Sequence, residues 1–295
     1  MNHYSDFSEF FPCGGIKAGI SLKQFQYFPP EDRKKIVSLF ELNPEQIVIP
    51  VQTHSNNVVI CTKSGGISNT DGMITIEKLV LTIQVADCIP IYLVDPVAKI
   101  IGLLHAGWRG IANGIVLNGI QKLIQLNSNP QNVIVFLGPS IRQCCFEVSL
   151  DVALEFDSSF VRNTRKGERM INLQGIVRSQ LTDSGVNQKN IIDINECTFC
   201  FLPMGAILRC DNRRPRHDSH LPVFFNRCRA DVRACRARTD HLVILRRGCW
   251  LTCELLPDRF RWSESGFSFH RKWVVPLRLL RICCGPRRPG GLGSP

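Results

Sequence analysis

Between residues 79 and 105 the chain sets three apolar segments almost end to end: LVLTIQVA (79–86), IPIYLVD (89–95) and KIIGLLH (99–105). The first leaves hardly any polar face for water and reads as a strand covered on both sides. Strands of that kind demand further layers of structure above and below them. QIVIPVQ (46–52) and VVICT (58–62) read as two more strands, and EDRKKIVSLF (31–40) as a short helix broken by Asn43-Pro44. From Gly110 the pattern turns helical: in IANGIVLNGIQKLIQL (111–126) apolar residues recur at spacings of three and four. NVIVFLG (132–138) is a buried-type strand. Ser149 is placed to cap a helix over LDVALEF (150–156), QGIVRSQLTDSGV (174–186) reads as another helix, and NIIDIN (190–195) as a strand. Helices and strands mix without strict alternation, which predicts an α/β or α+β sandwich; no internal repeat is visible.

With 295 residues, 44% of them hydrophobic, the chain can bury one substantial core, or a core plus a small appendage. Its net charge of +11 is unevenly placed. Residues 1–200 hold 17 Lys+Arg against 18 Asp+Glu, whereas residues 201–295 hold 19 against 7. Basic usage also switches from mixed Lys and Arg to almost pure Arg, and seven of the fourteen cysteines fall in the last third. A nucleic-acid arm would show lysines, a basic helix face or a recognised module, and none is present. Residues 201–295 therefore read as an atypical tail not selected to fold with the rest, such as a shifted reading frame or a fused fragment. Residues 1–200 read as the catalytic domain. No run approaches the ~20 apolar residues of a membrane-spanning helix. The first residues lack the basic and apolar regions of a secretory signal. The expectation is a cytoplasmic protein, a monomer or homodimer with no membrane or nucleic-acid partner, whose cysteines are thiols or metal ligands.

Three potential ligands share a setting. His54 follows QIVIPVQ, Cys88 follows LVLTIQVA, and His105 ends KIIGLLH. Strand ends of one sheet converge, and crevices beyond them are common ligand sites. Imidazole, thiolate and imidazole suit a catalytic zinc that keeps one position for water. Spacings of 34 and 17 residues make no local metal motif, however, and separate core or edge residues fit them as well.

The words around these residues are more specific. QTHS (52–55), TDGMIT (70–75), ADCIPIYLVDP (86–96), HAGWRG (105–110) and GPSIRQCCFEV (138–148) occur together and in this order. Over about residues 13–200 they resemble the YfiH family, also called the multicopper polyphenol oxidase or laccase-domain family. The resemblance implies an α+β fold, a four-layer α/β/β/α sandwich with mixed sheets, and zinc ligands at His54, Cys88 and His105. It also implies phosphorolysis of adenosine, inosine and methylthioadenosine with phosphate, together with adenosine deamination. Copper-dependent oxidation of phenols is the alternative ascribed to the family.

Several residues fit that chemistry. Gly107, Arg109 and Gly110, just ahead of a helix, form a candidate phosphate site, to which Ser140 in the Gly138-Pro139-Ser140 turn adds donors; for Arg109 a surface salt bridge fits equally well. Asp71 is a candidate acid or base, a ligand-orienting group, or simply a turn former. Trp108 stacks a base or packs; Cys145 approaches the metal or fills space. Cys197 and Cys200 form a CxxC without a second CxxC at zinc-ribbon spacing. Against a multicopper oxidase, only His3, His54 and His105 occur before residue 200. A cysteine amide hydrolase with Cys88 as nucleophile, and a domain that merely binds metal or nucleoside, also stand open. After CTFC (197–200) the family pattern of FF, Ser, Arg and a closing Gly-Arg strand is not matched. That predicts a domain lacking its last core strand.

Overall fold

The computed structural model describes residues 4–21, 30–165, 167–200 and 241–247. In chain order the elements are β1 (Tyr4–Asp6), β2 (Ile16–Ser21), α1 (Pro30–Leu39), β3 (Ile47–Pro50), β4 (Val58–Ile60), β5 (Gly65–Ile67) and β6 (Gly72–Thr75). There follow β7 (Val80–Val85), β8 (Ile89–Asp95), β9 (Ile100–Ala106), α2 (Trp108–Ala112), α3 (Ile115–Gln125), β10 (Ile134–Leu137) and β11 (Glu147–Val148). The last are α4 (Leu150–Ala153), β12 (Val161–Asn163), β13 (Arg169–Ile171), α5 (Leu173–Asp183), β14 (Ile191–Asp193) and β15 (His241–Arg247).

Two six-stranded mixed sheets stack face to face. Sheet A has the order β1-β2-β15-β7-β3-β5, and sheet B the order β14-β10-β8-β9-β6-β4; β11, β13 and β12 make a small third sheet. Every residue of β8 and of β9 is buried. Their side chains alternate between two apolar layers, as the pleat of a strand requires. Tyr92, Val94 and Leu103 point into the space between the sheets, with Ala18, Ile20, Leu81, Ile83 and Phe136. Ile91, Leu93 and Leu104 point the other way, against Ile115, Ile120 and Leu123 of α3 and Val177 and Leu181 of α5. Helix α1 covers the outer face of sheet A, packing Ile36, Val37 and Phe40 on Ile47 and Val80. The layers therefore run α/β/β/α, as the resemblance implies. Across the middle layer the Tyr92 hydroxyl donates to the Gly19 carbonyl at 2.9 Å, which satisfies the one polar atom that ring carries into the core.

Two expectations need correction. The helix foreseen over 111–126 is two helices, because Gly114 adopts φ +84° between them. That left-handed value ends α2 and starts α3 on a new axis, and a Cβ there is costly. The second correction concerns the tail. Strand β15 lies at the centre of sheet A, antiparallel to β2 (Val243 opposite Ile20) and to β7 (Val243 opposite Ile83). Val243 and Leu245 enter the inter-sheet core, and Ile244 packs under α1. Residues 241–247 thus supply a central strand, and the inference that all of 201–295 stands apart from the domain fails for them. Arg246 and Arg247 disguised the strand, since four apolar residues amid an Arg-rich stretch gave no period. The remaining expectations for the tail lie outside the described residues. Helix α4 is a single turn: Ser149 occupies its N-cap position but makes no capping bond with its side chain.

Candidate active site

One end of sheet B gathers the groups that carry chemistry. In the ladder, Ile89 pairs with Ala106, Gly72 with Leu104 and Val58 with Gly72. The starts of β4, β6 and β8 therefore share an edge with the end of β9, and the ends of β10 and β14 lie along it too. His105 is the penultimate residue of β9. Cys88 lies in the short crossing from β7 in sheet A to β8 in sheet B, and His54 in the crossing from β3 in sheet A to β4 in sheet B. The expectation that all three sit at strand ends of one sheet is thus revised: two of them occupy connections between sheets. Apolar strands of either sheet read alike in sequence, so sheet membership was not legible there.

The three side chains meet. One ligand atom from each of His54, Cys88 and His105 lies within 4.8 Å of the others, and the imidazole rings stand 4.8 Å apart at 71°. Three bonds of about 2.0–2.3 Å to one zinc ion fit that spread after small side-chain adjustments. Gly107 shows how closely the backbone abuts the group: a Cβ there would lie 2.9 Å from His54 Cδ2 and 3.1 Å from Cys88 Sγ. His105 is buried, Cys88 half-buried and His54 exposed, so the cluster opens to solvent on the His54 side.

Asp71 organises the set from beneath. Its fully buried carboxylate accepts from His105 Nδ1 at 2.8 Å, from the backbone N–H of His54 at 3.0 Å and of Thr53 at 3.1 Å, and from both the N–H and hydroxyl of Ser55 at 2.7 Å. Burial raises the pKa of this carboxyl, but the hydrogen bonds from His105, Ser55 and Thr53 outweigh it and hold the group well below the carboxylate range. A permanently charged acceptor with every oxygen occupied is a positioning group rather than an acid or base facing substrate. It makes Nδ1 of His105 a donor; burial lowers the pKa of that ring, but Asp71 and Cys88 raise it to about 9, so Nε2 offers its lone pair once a metal displaces its proton. It also clamps His54 at φ +59°, a left-handed conformation unusual for histidine. Ser55 escaped the sequence reading; it stood inside QTHS, but its partner is 16 residues away. At Cys88 burial opposes ionisation, yet hydrogen bonds and charge from His105 and His54 prevail and bring the thiol to about 7.

The candidate anion residues separate. Arg109 is exposed within α2, its guanidinium 4.4 Å from the centre of the Trp108 ring, and no ion pair is formed by it among the described residues. It lies inside a short helix, not ahead of one. Gly110 is buried, facing the Ser55 carbonyl so closely that a Cβ would be 2.9 Å from it. Ser140 is also buried, its N–H bonded to the Glu196 carbonyl, its hydroxyl accepting from Gln174 at 2.9 Å and donating to the Gly138 carbonyl at 3.4 Å. With its donors committed, Ser140 serves the packing of the rim, and Gly110 is the point where α2 presses closest on the 53–55 loop. Trp108 packs partly against the helix-side core. Cys145 joins a different group of side chains, not the His54 cluster.

Residues 30–202 match the family model described as multi-copper polyphenol oxidoreductase laccase. The chain belongs to that family. Within this laccase family, it is 37% identical over 164 residues to a purine nucleoside phosphorylase of Rickettsia prowazekii (strain Madrid E), covering 52% of this chain and 67% of that one. It is 30% identical over 174 residues to an adenosine deaminase of an unknown prokaryotic organism, covering 53% and 66%. The fold is shared with the crystal structure of a hypothetical YfiH protein from Bacillus licheniformis. The TM-score is 0.64 at 22% identity, over 78% of this chain and 92% of that one.

Proposed function

We propose that this laccase-family domain is a zinc-dependent purine nucleoside enzyme that cleaves adenosine, inosine and methylthioadenosine with phosphate and deaminates adenosine. The observation that carries the reading is the meeting of His54, Cys88 and His105 above a buried Asp71, with relatives named for both activities in support. The donor set suits zinc: a thiolate and two imidazoles, one of them oriented by a carboxylate. A zinc ion held there supplies Lewis acidity and acidifies water for attack on a purine carbon. The chain's own residues do the rest. Asp71 keeps His105 in one tautomer and holds the His54 loop. Gly107 lets the backbone pass close enough for the three ligands to converge. Arg109, exposed and without a carboxylate partner among the described residues, reaches from α2 beside the site and binds phosphate as a guanidinium fork. Phosphate oxygen then bonds to C1′ of the ribose as the C1′–N9 bond breaks, and the purine leaves with that electron pair and takes up a proton.

The test is a product assay on metal-loaded protein. Ribose 1-phosphate and free base should form only when phosphate is present. Arg109→Ala should raise the KM for phosphate about tenfold or more, the scale of one lost charge-assisted hydrogen bond. A fall in kcat as well would mean that Arg109 acts in the transition state. The family description favours a second reading, copper-dependent oxidation of phenols. Phenol turnover by copper-loaded protein without nucleoside cleavage would establish it in place of the first. Amide hydrolysis surviving metal removal would instead make Cys88 a nucleophile.

A further inference from the structure

A second group of side chains stands apart from the His54 cluster, where the loop after β10 meets the loop after β14. Cys144, Cys145, Cys197 and Cys200 bring their four sulfurs within 4.8 Å of one another. Cys200 Sγ lies 3.3 Å from Cys144 Sγ and 3.2 Å from Cys145 Sγ. A disulfide requires about 2.05 Å, so neither pair is bonded. Four thiolates around one zinc ion, at about 2.3 Å each, stand roughly 3.8 Å apart, which falls within the observed spread. We propose that Cys144, Cys145, Cys197 and Cys200 bind a second zinc ion, a structural one, that clasps the two loops together.

The backbone around Cys197 supports this independently. Cys197 forms a parallel bridge with Ser140, and the Thr198 N–H donates to the Ser140 carbonyl at 3.1 Å, which pins this turn to the loop that carries the vicinal pair. A Cys-x-x-Cys turn fixed beside a vicinal cysteine pair brings four sulfurs to one place, the donor set of a structural zinc site. The vicinal pair comes in on a tight turn, with the N–H of Cys145 and of Phe146 both bonded to the Arg142 carbonyl at 2.9 Å. Four thiolates held this close repel one another, so without a cation they do not ionise together. A zinc ion removes that penalty: each sulfur exchanges its proton for a bond to the metal, and the protons leave to solvent. All four ligand positions are filled by protein, as in structural zinc sites, so no place for substrate remains.

The clasp also bears on the neighbouring centre. Thr198, inside the turn, donates its hydroxyl to Asp87 at 2.7 Å, and the Ile141 N–H reaches the Asp87 carbonyl at 2.9 Å. Asp87 precedes Cys88. Fixing the two loops therefore fixes the crossing that carries the thiolate ligand. The proposal does not rest on which reaction the other site performs.

Cysteine protection in the full chain is the test. Purified reduced protein is alkylated with zinc, after chelation, and after zinc is restored, and peptides holding residues 144–145 and 197–200 are quantified separately from those of the tail. Zinc alone should protect all four cysteines at least tenfold, and chelation should abolish protection. Equal alkylation in the three states would overturn the proposal. So would protection by copper(I) and not by zinc, or a disulfide linking these cysteines in protein prepared without oxidant. In a second measurement Cys200→Ser should hold one zinc equivalent fewer than wild type and lose the visible spectrum of a cobalt tetrathiolate. Cys88→Ala should lose a different equivalent and keep that spectrum. If Cys200→Ser fails to fold, the wild-type protection pattern still decides.

Discussion

Asp71 concentrates more of the site on one residue than any ligand does. Replacing it by Asn keeps the shape but turns one acceptor into a donor facing the N–H groups of the 53–55 loop, and takes a charge away from His105. Outer partners of metal ligands typically govern affinity by about 10–100-fold. Asp71→Asn should weaken zinc binding by that order in competition with a chromophoric chelator. Affinity unchanged within twofold would mean that the His105 tautomer is set by something else. Gly107→Ala makes a harsher demand, because the new methyl would press on His54 and Cys88 together. Its zinc affinity should fall at least as far while circular dichroism stays native. At this scale the sequence was legible for His54, Cys88 and His105, which lay in specific words of the family pattern. It was not legible for the roles of Ser140 and Gly110. Whether a serine's donors are free depends on the Glu196 and Gly138 carbonyls, and those partners are set by folding alone.

Among the elements, β8 and β9 were readable because burial on both faces leaves an unbroken apolar run, and α1 and α5 because one face alternates at helical spacing. Strand β2 escaped notice, its IKAGIS offering small residues where a strand signal wants bulk. β15 hid for a different reason: inward Val243 and Leu245 and outward Ile244 are all apolar, and the arginines that follow blur what little alternation remains. Its place between β2 and β7 makes a definite expectation. Backbone amides of residues 243–246 should be among the slowest to exchange with solvent. Rapid exchange there would remove the strand from the sheet. Val243→Asp should destabilise the protein by about 3 kcal/mol or more, as an unpaired charge between two sheets must. Urea titration measures it. Gly114→Ala, at the joint of α2 and α3, should cost a milder 1 kcal/mol or so through its positive φ.

Within the described residues, the two large sheets are joined by the crossings that carry His54 and Cys88, so metal occupancy of that cluster should stabilise the entire fold. Zinc at 100 times its dissociation constant contributes about 2.7 kcal/mol to any state that binds it. The melting temperature should rise by several degrees with zinc and fall with chelator, and the rise should shrink in Cys88→Ala. An equal rise in that variant would exclude the three-ligand centre as its source. The four-layer arrangement itself was expected from the family pattern, whereas composition misjudged its extent. Charge counted over a 95-residue window hid seven residues that belong at the heart of a sheet. Their position matters before the protein is ever finished. Ile20 pairs with Val243, and ribosomes append residues in order at roughly 5–20 per second. For some ten seconds or longer the nascent chain must carry β2 and β7 with the slot between them open. During that interval the two bare strand edges invite pairing with other chains. Chaperone dependence and the yield of soluble product should therefore be set by how fast the ribosome reaches residue 247.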